Sequence, residues 1–193
     1  EPEVKIALAA ALNGKLPSAS TPPLKSGELA SKDAVAAALA KMQGKKIGAI
    51  GEAPNGFTPC IYDANQLKSI FGIDVVKIPV SSAFDRINSV SEEAKELAYA
   101  SAVKAQPSLA NVNKEEAKKV SGAEVAFDSW RAEENLDAIA VRCWPEFPTD
   151  LGACVCSSLG RISDRGTITT CERDVLGAVT MLVCEMLGSD QNY

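Results

Sequence analysis

"TITTCERDVLGAVTMLVCEMLG", residues 167–188, decides the fold class. Its opening "TITTC" (167–171) has strand composition, and "DVLGAVTMLVCEMLG" (174–188) is a long apolar segment of helical character. Glu172 stands at the junction. Its neighbour Asp174 is placed to start the helix. A strand passing straight into a helix is half of a βαβ unit, and upstream the same pattern recurs.

"KKIGAIGE" (45–52) is a short apolar run ending at glycine, the habit of a parallel strand. A loop dense in Pro, Gly and Asn follows it, "APNGFTPC". "DANQLKSIFG" (63–72) predicts a helix with Asp63 as N-cap and Gly72 just past the end. "IDVVKIPV" (73–80) predicts a second strand, and Ser82–Asn88 a short helix. Ser91 with acids after it opens a helix over 91–106, and Pro107 lies beyond it. Residues 113–135 predict a long helix whose apolar positions Val120, Val125, Phe127 and Trp130 follow helical spacing only roughly. "LDAIAVRCW" (136–144) predicts a third strand, 148–166 a helix and its exit, and 167–171 a fourth strand. Strands alternating with helices give an α/β fold. The expected form is a small doubly wound parallel sheet of flavodoxin-like type, about four strands with helices on both faces.

Residues 1–43 are expected to be a helical leader and linker, with Pro22-Pro23 stopping any helix in "LPSASTPPLKSG" and a helix starting near Ser31. Residues 44–193 are expected to form the α/β domain. The chain has 193 residues, enough to bury about 70% of its unfolded surface. Its net charge is −5 with scattered Lys and Arg, so no basic footprint for nucleic acid is present. No apolar run reaches the roughly 18 residues a membrane helix needs. The N-terminus starts acidic and carries Lys5, unlike a signal peptide.

The six cysteines contain no CxxC pair and read as buried, reduced thiols of a cytoplasmic protein. On a helix, Cys154 and Cys156 would point about 200° apart and share no metal. Histidine is absent, which excludes Ser-His-Asp triads, Cys-His dyads and a His-ligated metal supplied by this chain alone.

Ligands of open α/β sheets bind beyond the carboxyl ends of the strands. By position, four loops qualify: Gly51–Tyr62, Pro79–Ser82, Arg142–Asp150 and Cys171–Asp174. "GEAPNGFTPCIYD" is neither GxGxxG nor a Walker A motif. In "RCWPEFPTD", Arg142 and Trp144 suit a sugar, one donating to hydroxyls and the other covering C–H groups. The competing reading makes Trp144 core and pairs Arg142 with a nearby acid. Glu172 suits a hard cation or a proton transfer, or simply starts a helix.

Three segments carry a resemblance: "GKKIGAIGEAPNGFTPCIYD", "LDAIAVRCWPEF" and "TTCERDVLGAVTMLVCEMLG". Together they resemble the middle domain of the L-fucose isomerase and L-arabinose isomerase superfamily, its L-fucose isomerase-like branch, over about residues 44–188. The resemblance implies an aldose–ketose isomerase that works through an enediol with Mn²⁺ or another divalent cation. It makes Glu172 the metal-binding and proton-carrying Glu, and Arg142 and Trp144 candidates for the sugar-facing wall. The family's other ligands, an Asp and a His, would fall past Tyr193. The chain alone is then expected to bind no such cation and to be inactive, as a fragment. Its expected partners are an aldose or ketose sugar, the missing C-terminal domain, and copies of itself in a homo-oligomer, with no nucleic acid or membrane. The alternative is a non-catalytic sugar- or partner-binding module.

Overall fold

The computed structural model describes residues 32–187. From Ala36 onward these belong to one compact unit. Of the leader and linker expected over residues 1–43, residues 1–31, with the helix start near Ser31, lie outside the described residues.

Four strands form one sheet: β1 Lys46–Ile50, β2 Asp74–Ile78, β3 Ala138–Val141 and β4 Ile168–Thr170. All pair in parallel, in the order β2-β1-β3-β4. The described helices are α1 Lys32–Met42, α2 Ala64–Phe71, α3 Val80–Ser89, α4 Glu92–Ala105, α5 Lys114–Glu134, α6 Cys156–Asp164 and α7 Val175–Met186. None is long and apolar enough to cross a membrane. This is the doubly wound α/β architecture that the alternation of strand and helix predicts.

The strands are shorter than the apolar runs that announce them. β2 stops at Ile78 because Pro79 has no N–H to donate and instead precedes the first turn of α3. The run at 136–144 loses both ends. Asn135, in the left-handed region at φ 53°, closes α5, and Leu136 N still donates to Arg131 O at 2.9 Å. At the other end the chain leaves the sheet after Val141.

Helix starts follow the local chemistry. The Asp63 side chain accepts from Asn65 N and Gln66 N, Ser91 from Ala94 N, Asn113 from Glu115 N, and Asp174 from Gly177 N at 2.8 Å. Gly72 ends α2 in the left-handed conformation, as expected.

Strand alternation divides the core into two layers. Ile50, Ile139 and Val141 pack against Ile87 of α3, Phe127 and Trp130 of α5, and Leu159 and Ile162 of α6. Ile47, Ala49, Ala138, Ala140 and Ile168 face Met42, Leu67, and the α7 residues Val175, Ala178 and Leu182. Each fully buried Ile or Leu here contributes about 1.5–3 kcal/mol. On α5 the buried stripe is Ala123, Ala126, Phe127 and Trp130, at i, i+3, i+4 and i+7. Two of its four members are alanines. A scan for large apolar residues passes over them, while Val120 and Val125 are only half-buried.

Candidate functional site

β1 leads to β2 on one side of the sheet and β3 leads to β4 on the other, so the crevice of the fold opens between the carboxyl ends of β1 and β3. The β1 loop starts at Gly51, whose φ of 75° needs glycine. A Cβ there would stand 2.7 Å from Val80 Cγ2 and 3.0 Å from Arg142 Cδ. Beyond this edge lies a cleft of about 360 Å³ lined by Glu52, Lys77, Arg142 and Glu146 among others.

β4 gives way to α7 through a left-handed turn. Glu172 and Arg173 have φ of 55° and 56°. Arg173 N returns to Val141 O at 2.9 Å, which ties the turn to the end of β3. Asp174 then caps α7, so the helix-starting role belongs to Asp174 and leaves Glu172 without it. One oxygen of Glu172, Oε1, stands 3.4 Å from Cys143 Sγ. The other, Oε2, is buried and has no hydrogen-bond partner.

Arg173 is 4% exposed. Its Nη1 reaches Glu52 Oε2 at 3.3 Å, its Nη2 donates to Cys60 O at 3.1 Å, and its guanidinium lies 5.0 Å above the Tyr62 ring. Burial raises the Tyr62 phenol above its ordinary value, against the pull of Arg173. Among the described residues four buried side-chain polar atoms have no partner. Three of them belong to the β4–α7 turn and the β1 loop that it clamps: Glu172 Oε2, Arg173 Nε and Tyr62 Oη. Unsatisfied buried polar groups are rare in folded proteins, so each is a candidate for a partner the chain itself does not supply.

Arg142 is anchored at the same edge. Its Nε and Nη2 hold Glu146 at 2.7 and 2.6 Å, and its Nη1 donates to the carbonyls of Glu52 and Ala53. Four of its five N–H donors are thereby taken. Pairing with a nearby acid, one of the two readings of this residue, is what the structure shows. Trp144 is 52% exposed, so it is not core. Its indole is open to solvent two residues beyond Arg142.

The cysteines depart from expectation. Cys60 and Cys143 are buried, Cys171 is half-buried, and Cys154, Cys156 and Cys184 are exposed. All six are free thiols. Cys143 is drawn down to about 7, chiefly by the hydrogen bond with Cys171, whose own thiol is pushed up because it keeps the proton. When neutral, Cys143 donates to Glu172 instead. Cys154 lies before α6 and not on it, so the helical angle between Cys154 and Cys156 never applies.

Arg173 is the residue that the sequence did not disclose. An arginine between two acids reads as a solvated charge, and only its place at a strand end hinted otherwise.

No protein-family model matches the chain. Among characterised proteins it is 34% identical to the sulfoquinovose isomerase of Alkalicoccus urumqiensis over 143 residues, 74% of this chain and 32% of that protein. It is 32% identical to that of Priestia aryabhattai over 149 residues, 77% and 33% of the two chains. The sulfoquinovose isomerase of a Clostridium species is 28% identical over 143 residues, 74% and 32%. The chain spans about a third of the length of the curated relatives it matches. Over roughly three quarters of its own length, then, it is similar to sulfoquinovose isomerases.

Proposed function

We propose that this chain supplies Glu172 to a divalent-cation-dependent aldose–ketose isomerase that works through an enediol. The substrate is a sulfonated sugar of the sulfoquinovose type. The observation that carries this reading is the orphaned Oε2 of Glu172 at the crevice edge. Leaving it unpaired would cost about 1–3 kcal/mol, which a cation bound there would offset. The similarity to sulfoquinovose isomerases supports the reaction class and the substrate.

A carboxylate oxygen suits Mn²⁺ or another hard divalent cation. Asp174 is committed to its cap, so Glu172 is the one ligand this turn offers. Hard cations take six or so ligands, and the remainder come from the part of the protein corresponding to the other two thirds of the relatives. When bound, the cation polarises the carbonyl and neighbouring hydroxyl of the sugar.

Glu172 takes the proton from C2, and a second acid–base group, outside this chain, returns one at C1. The left-handed turn fixes where the carboxylate points, and Cys143 steadies Oε1. Trp144 covers an apolar face of the sugar, and Arg142, through its remaining donor, meets a hydroxyl or holds the wall in place. Alone, the chain is inactive because its cation site is incomplete.

The test uses the full-length protein. Glu172→Gln should lower Mn²⁺ affinity and reduce ketose formation by at least about a hundredfold, the usual scale of a lost acid–base group. Unchanged cation affinity and turnover would remove Glu172 from the site and leave the binding-module reading.

A further inference from the structure

Beyond the Glu172 carboxylate, three thiols converge at the same edge of the sheet. Cys143 lies just past β3, Cys171 directly follows β4, and Cys156 is the first residue of α6. Their sulfur atoms all lie within 4.8 Å of one another. The topology brings them together. β3 and β4 are neighbours, and the helix that crosses between them must start at the carboxyl edge where both strands end. The scaffold is also pinned: Thr169 Oγ1 bonds Leu159 O at 2.9 Å and Ser163 Oγ at 2.8 Å, holding α6 against β4. Ser158 Oγ donates to Val120 O at 2.7 Å, which holds the same helix against α5.

We propose that Cys143, Cys156 and Cys171 form a three-thiolate site for a soft or borderline divalent cation of the zinc class. Zinc–sulfur bonds of about 2.3 Å in a tetrahedron set the sulfurs roughly 3.8 Å apart, so the cluster needs only about 1 Å of side-chain adjustment. A disulfide would join two of the thiols and strand the third, whereas a metal uses all three. Cys156 is exposed, which gives the ion a way in and leaves a corner for water. Each thiol that ligates releases its proton to solvent, and the resulting thiolates select zinc-class ions over hard manganese-class ones.

The site is distinct from the cation site of the isomerase reading but touches it. Cys143 is the donor to Glu172 Oε1, and once ligated it has no proton to donate. If that reading holds, zinc-class ions that fill the thiolate site depress turnover. The site itself stands without it.

The experiment uses the reduced 193-residue chain and needs no sugar. Titration with Co²⁺ should give a thiolate-to-cobalt charge-transfer band that saturates at one ion per chain and is displaced by Zn²⁺. In the wild-type protein Zn²⁺ should protect Cys156 from iodoacetamide while the exposed Cys154 and Cys184 label at an unchanged rate. Cys156→Ser and Cys171→Ser should each weaken Zn²⁺ at least as much as loss of an outer-shell partner does, roughly 10–100-fold. Cys154→Ser and Cys184→Ser should leave affinity unchanged. Absence of the cobalt band from the folded, reduced wild type would overturn the site, as would unaltered Zn²⁺ affinity in Cys156→Ser. So would a Cys143–Cys171 cross-linked peptide after mild oxidation of a chain that binds no cobalt, since the cluster would then be a redox pair. Failure of the isomerase reading moves none of these signals.

Discussion

Glu172 and Arg173 are successive non-glycine residues in the left-handed region, a conformation that costs about 1–2 kcal/mol for each. The turn persists because other bonds outweigh that cost. Arg173 N reaches Val141 O, and the Arg173 side chain clamps the β1 loop through Cys60 O and Glu52. Strain held in place by surrounding contacts is typical of sites that must aim a side chain. Arg173→Met keeps the apolar stem and removes the clamp, leaving the Cys60 carbonyl without its donor. It should cost about 1–3 kcal/mol in urea unfolding. Glu52, being 71% exposed on its side chain, re-solvates and adds little to that figure. On the isomerase reading, the same change in the full-length protein should lower turnover more than it raises KM, because the aim of Glu172 is lost.

Among the elements, β1 shows how tightly sheet and helix are fitted. A Cβ on Gly48 would come within 2.5 Å of Leu136 Cδ1 and 2.6 Å of Trp130 Cη2. Both are core side chains with nowhere to go, so Gly48→Ala should destabilise by about 1–3 kcal/mol, read as a lower urea midpoint at constant m. Helix limits were largely legible in the sequence because caps are local: Asp63 with Gly72, Ser91, Asn113 and Asp174 each act within a few residues. Strand limits were less so, since residues of strand-like composition continue past the last ladder bond, as at Cys143–Trp144 beyond the Arg142 N to Ile50 O bond. The place of Glu172 at a strand end was readable from the strand–helix junction alone. The thiol cluster was not. Its members sit at positions 143, 156 and 171 with no motif spacing, and only the adjacency of β3 and β4 brings them together. The exposure of three cysteines was equally hidden, because apolar neighbours in sequence do not fix which side of a loop or helix faces the core.

At the scale of the whole molecule, α4 and α5 form a hairpin stapled by charge. Glu92 takes bonds from Lys118 and Lys95, both at 2.8 Å, and Lys114 meets Glu96 at 2.8 Å. The Glu92 carboxyl is held down from its ordinary 4.5 to about 2, chiefly by the Lys118 hydrogen bond. A carboxylate with a depressed folded-state pKa stabilises fully above its unfolded value and loses that contribution as pH falls through the folded one. Stability should therefore decline between about pH 4.5 and pH 2. In Glu92→Gln that part of the decline should be absent in acid-titration melts, and high salt should shrink it in the wild type because the pair faces water.

The sheet order also governs synthesis. β1 can pair with β2 as soon as residue 78 has emerged, but its other partner, β3, begins only at residue 138. At roughly 5–20 residues per second, the inner edge of β1 waits about 3–12 s on the ribosome with its backbone unpaired. An unpaired strand edge invites a second nascent chain to add to it. The intervening helices α3 and α5 carry Ile87, Phe127 and Trp130 and have no completed sheet to cover, so this interval is when the protein is most open to misassembly, and a chaperone that shields residues 46–50 would act then.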